Sequence, residues 1–220
     1  MPRVRQVPLS EIHPAGRKYY EALFKEADPA RNPGTVTGSP GHWWSTIALR
    51  PCIFDHAASH LAMYGFMSDG SVSKLSPRAR ELALIRVGFL TESQFVYSQH
   101  CKAAAVAGLE RAKVAGVPHW GVLPIWTALE CAVLAYTDAF VLARGRVPDG
   151  VFAALHAEMS DEDIVELTYH IGGYMLHAGF CRALRLEWED VPERIVEVPR
   201  PANADFKGFT ARHGTDKHAG

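Results

Sequence analysis

Two side chains on either side of one predicted turn carry the chemistry of this sequence: Glu81 and His100. A carboxylate beside an imidazole has the parts for proton transfer near neutral pH, because histidine titrates there and the carboxylate can orient it. The same two groups also make an ordinary structural ion pair, and residue type alone leaves both readings open. His56 and His60 stand at i and i+4 beside Asp55, a spacing that suits a metal pair on one helix face. The run is HAASH, without the glutamate of an HExxH motif, and no metal site is assigned to it. His170, Tyr174 and His177 follow at i, i+4 and i+7, a polar stripe that is either functional or satisfied by close helix packing. Gly172, Gly173 and Gly179 nearby favour packing. Cys52, Cys101, Cys131 and Cys181 form no CxxC and read as small buried residues. Cys101 follows His100, but consecutive helix positions point about 100° apart, so the two do not share a site by adjacency.

The elements that must position Glu81 and His100 lie between Arg78 and Glu110. Ser76-Pro77 reads as a helix start. Apolar residues then recur with a helical period at Leu82, Ile85 and Phe89 and at Ala83, Val87 and Leu90. Thr91-Glu92-Ser93-Gln94 reads as a capping box that opens a second helix, which runs to about Ala107 and stops at Gly108. Two helices joined so tightly form an antiparallel hairpin. At ~1.5 Å per residue, Glu81 and His100 both sit roughly 14 Å from the turn and are level with each other. Ser93, Val96, Tyr97 and Ala104 share the His100 face.

The stretch RARELALIRV…ESQFVYSQHCKAAAVAGL resembles the carboxymuconolactone decarboxylase family, which also contains the AhpD-type alkylhydroperoxidases. The likeness is strongest over residues 76–110 and extends more loosely to about 185. Peroxidase members carry a Glu, a CxxC and a His separated from the second Cys by three residues. On this chain that pattern falls on Glu81, Ser93, Val96 and His100: the acid–base pair is kept and both thiols are absent. The resemblance therefore implies the longer, thiol-free branch and argues against dithiol peroxide reduction. It implies a cofactor-independent lyase of a small carboxylated or aromatic-derived compound, with no metal. His100 would move the proton and Glu81 orient it. Tyr97, Trp43 and Trp44 would line the pocket, Arg86 would meet a substrate carboxylate, and Ser93 and His177 complete the candidate substrate-binding set. A homo-oligomer is implied too, a trimer or hexamer, with a dimer as the smaller option. A thiol-dependent hydroperoxide reductase and a non-catalytic ligand- or metal-binding oligomer are the rival readings.

The expected fold is all-α, an AhpD-like helical bundle of seven or eight helices around the central hairpin. A single domain is expected over 1–186, with its core at 76–186, followed by an extended, partly disordered tail over 187–220. Before the hairpin, helices are expected at about 14–27, 42–49 and 51–67, with the Pro- and Gly-rich loop 28–41 between the first two. Such a loop is a lid, a subunit contact or simply mobile. At least one of the adjacent Trp43 and Trp44 is expected to face a pocket or a partner. After the hairpin, helices are expected at about 124–143, 148–159 and 161–186, the last with an acidic first turn. A formal charge of −1 gives no electrostatic case for nucleic acid or an anionic membrane. The longest apolar run, about 131–143, contains Thr137 and Asp138 and is too short to span a bilayer. With no secretory signal visible, a cytoplasmic location is expected.

Overall fold

The computed structural model describes residues 1–25, 27–63 and 73–189, with the single positions 195, 198 and 202. Among these residues all regular structure is helical, and no helix is long and apolar enough to cross a membrane. The chain forms two compact units. One comprises 1–73, 183–190 and 199–220; the other comprises 74–182 and 191–198. Most of the tail expected over 187–220, and the end of the helix expected to reach 67, lie outside the described residues.

The first unit contains α1 (Pro14–Phe24), α2 (His42–Ile47) and α3 (Pro51–Ala62). Tyr20, Leu23, Phe24, Trp44 and Phe54 form its aromatic-rich core. The N-terminal arm is pinned rather than loose: Val7 N–H donates to the Ser45 carbonyl at 2.9 Å, and the Tyr20 hydroxyl donates to the Val7 carbonyl. The 28–41 loop is equally tied down, with Val36 N–H on the Leu23 carbonyl at 2.8 Å and Thr35 bonded to Ser39. It ends at Gly41, whose φ of 82° and whose contact with the Phe24 ring leave no room for a side chain.

In the second unit, α4 (Pro77–Leu90) is the central element, packed on α5 (Gln94–Val106) and α7 (Ala128–Leu142). Every residue from Ala79 to Gly88 is buried, so this helix has no solvent face. The close approach to α5 depends on Gly88, where an added Cβ would come within 2.5 Å of the Tyr97 backbone nitrogen. The turn between the helices differs from the expected capping box. Thr91 closes α4, its hydroxyl donating back to the Val87 carbonyl at 2.7 Å, and Ser93 is the cap of α5, accepting from Val96 N–H. Gly108 ends α5 in the left-handed conformation, with Leu109 N–H returned to the Ala104 carbonyl. After α6 (Arg111–Gly116) and a 3₁₀ segment (Val117–Val122), α7 starts at Ala128, later than expected, under a full Thr127–Glu130 capping box. α8 (Asp149–His156) and the long α9 (Asp161–Leu184) follow.

Candidate acid–base site

A helix buried on all sides must partner every charge it carries, and α4 carries Arg80, Glu81 and Arg86 inside. Arg86 is held by its own chain. Its guanidinium grips Asp138 of α7 through both carboxylate oxygens, at 2.5 and 2.9 Å, and donates to the Val117 and Pro118 carbonyls. The expectation that Arg86 meets a substrate carboxylate is corrected on this point: the carboxylate it meets is internal, and it clamps α4 to α7.

Glu81 is held between two partners. Oε2 lies 2.6 Å from His100 Nδ1 of α5, and Oε1 accepts from Arg80 Nε at 3.1 Å. Burial alone would push the Glu81 carboxyl up. The charge and hydrogen bond of His100, and then those of Arg80, outweigh burial and hold it down at about 2. An ionised carboxylate only accepts hydrogen bonds, so His100 must carry a hydrogen on Nδ1. That leaves Nε2 as the ring atom free to take or give a proton. The pair is buried, with one-tenth of the His100 side chain exposed.

The third wall comes from α9. The Tyr174 ring meets the His100 ring in a T-shaped contact, with centroids 4.5 Å apart. His177 stacks on Tyr174 at 5.5 Å and lies 5.4 Å from Phe95 of α5. Burial, followed by the Glu81 charge, pushes the Tyr174 hydroxyl well above the usual tyrosine range, so it stays protonated. The polar stripe of α9 and the hairpin pair therefore meet in one place. The third member of the stripe does not join them: His170 is fully buried and bonded to Glu166 at 3.2 Å, one turn back on its own helix.

Other candidates fall elsewhere. Tyr97 is buried with its ring 6.4 Å from that of Phe89, and Ser93 acts as a helix cap. Trp43 and Trp44 belong to the first unit, both buried and in edge contact with each other. Cys101 and Cys181 are buried as expected, but Cys52 is exposed and Cys131 only half-buried. Among the described residues no group of three or more His, Cys, Asp or Glu could hold one ion. Arg80 went unread in the sequence because it neighbours Glu81, and a helix turns adjacent positions apart; only the fold-back of its long side chain joins them.

The profile of the carboxymuconolactone decarboxylase family matches residues 57–139. The chain is also similar to the structure of an Agrobacterium tumefaciens protein of unknown function, described as a candidate antioxidant defence protein AhpD. The identity is 25%, over 69% of this chain and 97% of that one, with a TM-score of 0.57. This part of the chain is thus similar to the carboxymuconolactone decarboxylase family, and its fold to AhpD-like proteins. An uncharacterized peroxidase-related protein from Silicibacter sp. TM1040 shares the fold at 14% identity, covering 89% of this chain and 93% of its own, with a TM-score of 0.65. The debrominase Bmp8, in a structure holding 2,3,4-tribromopyrrole, does so at 14% identity over 80% and 87%, with a TM-score of 0.61. A search of curated proteins finds no match. At the two positions where the resemblance places the peroxidase thiols, this chain has the Ser93 cap and the buried Val96.

Proposed function

We propose that the protein is a cofactor-independent lyase of a small carboxylated or aromatic-derived compound, with His100 as its general acid–base. The observation that carries this reading is the 2.6 Å bond from Glu81 to His100 Nδ1 inside a buried pair, which fixes the tautomer and aims Nε2 outward from the carboxylate. Aromatic surfaces beside it, Tyr174 and then His177 and Phe95, suit a flat, unsaturated substrate. That a debrominase of the same fold holds a brominated pyrrole is in keeping with a small aromatic ligand.

In a decarboxylation of this type, the bond between the substrate carbon and its carboxylate breaks. The electron pair passes into a conjugated carbonyl or lactone of the substrate, and carbon dioxide leaves. Protonated His100 then delivers the Nε2 proton to that carbon, the enolate collapses, and the imidazole recovers a proton from solvent. Glu81 stays ionised throughout and stabilises the imidazolium. A dithiol peroxidase reading gains nothing from the geometry, since Ser93 and Val96 stand at the thiol positions.

The test is mass spectrometry of a pool of aromatic-catabolism acids and lactones, incubated with wild-type and His100→Ala protein. A pool member should lose carbon dioxide with wild-type protein, and His100→Ala should slow that loss by about 10²- to 10⁴-fold. Equal turnover by the variant would remove His100 from the mechanism.

A further inference from the structure

Arg86 and Arg80 are both buried on α4 and both hold a carboxylate, yet their settings differ. Arg86 has Asp138 to itself among ionisable partners. Glu81 is shared: Oε1 accepts from Arg80 Nε at 3.1 Å, and Oε2 lies 2.6 Å from His100 Nδ1. One negative charge thus serves two groups, of which Arg80 is permanently positive. Among the described residues, Glu81 is the only carboxylate within hydrogen-bond distance of His100. When His100 takes a proton, the three side chains together carry one uncompensated positive charge. The other ionisable groups around the ring do not offset it. The Tyr174 hydroxyl keeps its proton, and His177 lies beyond it, stacked on the Tyr174 ring. Lys102, on the same helix as His100, is a further cation and bonds to Ser98. A buried net charge is costly unless an opposite charge joins it.

We infer that Arg80 turns His100 into a site for one singly charged organic anion, a carboxylate, which binds together with one proton. Of the three side chains the imidazole is the one a ligand reaches. Its side chain is 10% exposed, against 5% for Arg80 and 6% for Glu81. The carboxylate therefore accepts from protonated Nε2, and Arg80 acts through Glu81 as a positioning residue. By cancelling the Glu81 charge, Arg80 leaves the imidazolium charge for the ligand. Anion binding and protonation then favour each other, by the same factor in both directions. Without Arg80, Glu81 alone would neutralise protonated His100, and a bound carboxylate would add a surplus negative charge. This coupling rests on the lyase reading of His100 as the proton carrier. In turnover, the proton that enters with the carboxylate is the one delivered to carbon after carbon dioxide leaves.

Calorimetric titration of the full chain with benzoate and with neutral benzamide, in buffers of different ionisation enthalpy, counts the protons. In the alkaline range, where the free imidazole is neutral, each benzoate should bring close to one proton. Its Kd should rise about tenfold per pH unit there. Benzamide has the same shape without the charge; it should bind about tenfold more weakly or worse and bring no proton. Arg80→Gln, with circular dichroism confirming intact helix, should weaken benzoate about tenfold and take proton uptake toward zero. Arg80→Lys should restore both. Benzoate that fails to bind, binds without a proton or binds no better than benzamide would overturn the anion site. Uptake unchanged in Arg80→Gln would overturn the role of Arg80. Benzoate has no carbonyl or lactone to take the electron pair and stays intact, so a failed anion site and a failed lyase are told apart.

Discussion

Glu81 in the second unit and Glu187 in the first are both buried carboxylates, and burial pushes both upward. They end at opposite extremes. Glu81 faces His100 and Arg80 and is held down at about 2. Glu187 meets only backbone N–H groups at the start of α2, with Trp43 N–H at 2.8 Å and Gly41 N–H at 3.1 Å. Those neutral donors do not offset burial, and the Glu189 charge adds to it, so Glu187 is pushed up to about 7. Hydrogen bonds of similar length thus give contrary results, and the formal charge of the partner decides. One carboxylate is built to stay ionised beside an acid–base group. The other is a helix cap that titrates near neutrality.

Breaking the charged arrangement should have the largest effect. Glu81→Ala leaves Arg80 and His100 buried without the carboxylate between them, and should cost about 3–5 kcal/mol in chemical denaturation. A loss under about 1 kcal/mol would show that the pair is solvated rather than buried. The pH dependence sharpens the contrast. Glu81 contributes stability that is complete above its ordinary value of 4.5 and is lost as pH falls toward about 2. Glu187 works in reverse: its contribution is complete below 4.5 and is lost as pH rises through about 7. At 1.36 kcal/mol per unit that loss is roughly 3 kcal/mol. Glu187→Gln should abolish this dependence between pH 4.5 and 7 while leaving the acid limb in place. A variant with the same slope as wild-type would move the neutral titration to another group.

Much of this arrangement was legible in residue order because it rests on local rules. The hairpin and its Gly108 stop, the acidic start of α9 and the level placement of Glu81 and His100 follow from period, caps and rise per residue. What was missed depends on side chains reaching between elements. Arg86 looked available because Asp138 is 52 residues away, and only the packing of α4 on α7 joins them. The contact of Tyr174 with His100 spans three helices of intervening chain, so the stripe of α9 read as packing rather than as a wall of the site. The late start of α7 was readable, since Thr127 and Glu130 stand at capping-box spacing; the earlier Pro124 drew the boundary too far forward.

The smallest expected effect is the one that tells whether Tyr174 acts on His100 or merely fills space beside it. The two rings meet edge to face at 4.5 Å, an arrangement that contributes about 0.5–1.5 kcal/mol beyond area burial. Tyr174→Phe keeps the ring and should keep that coupling; Tyr174→Leu should lose it. A double-mutant cycle pairing Tyr174→Leu with His100→Ala isolates the contact from the cavity that each change leaves, because the cavity costs are shared by the single variants. A coupling energy of about 1 kcal/mol would make Tyr174 a positioning residue, holding the imidazole plane that Glu81 already holds at Nδ1. A coupling near zero would leave Glu81 alone to orient His100. The two buried glutamates would then differ in their charged partners, His100 and Arg80, against backbone N–H groups alone.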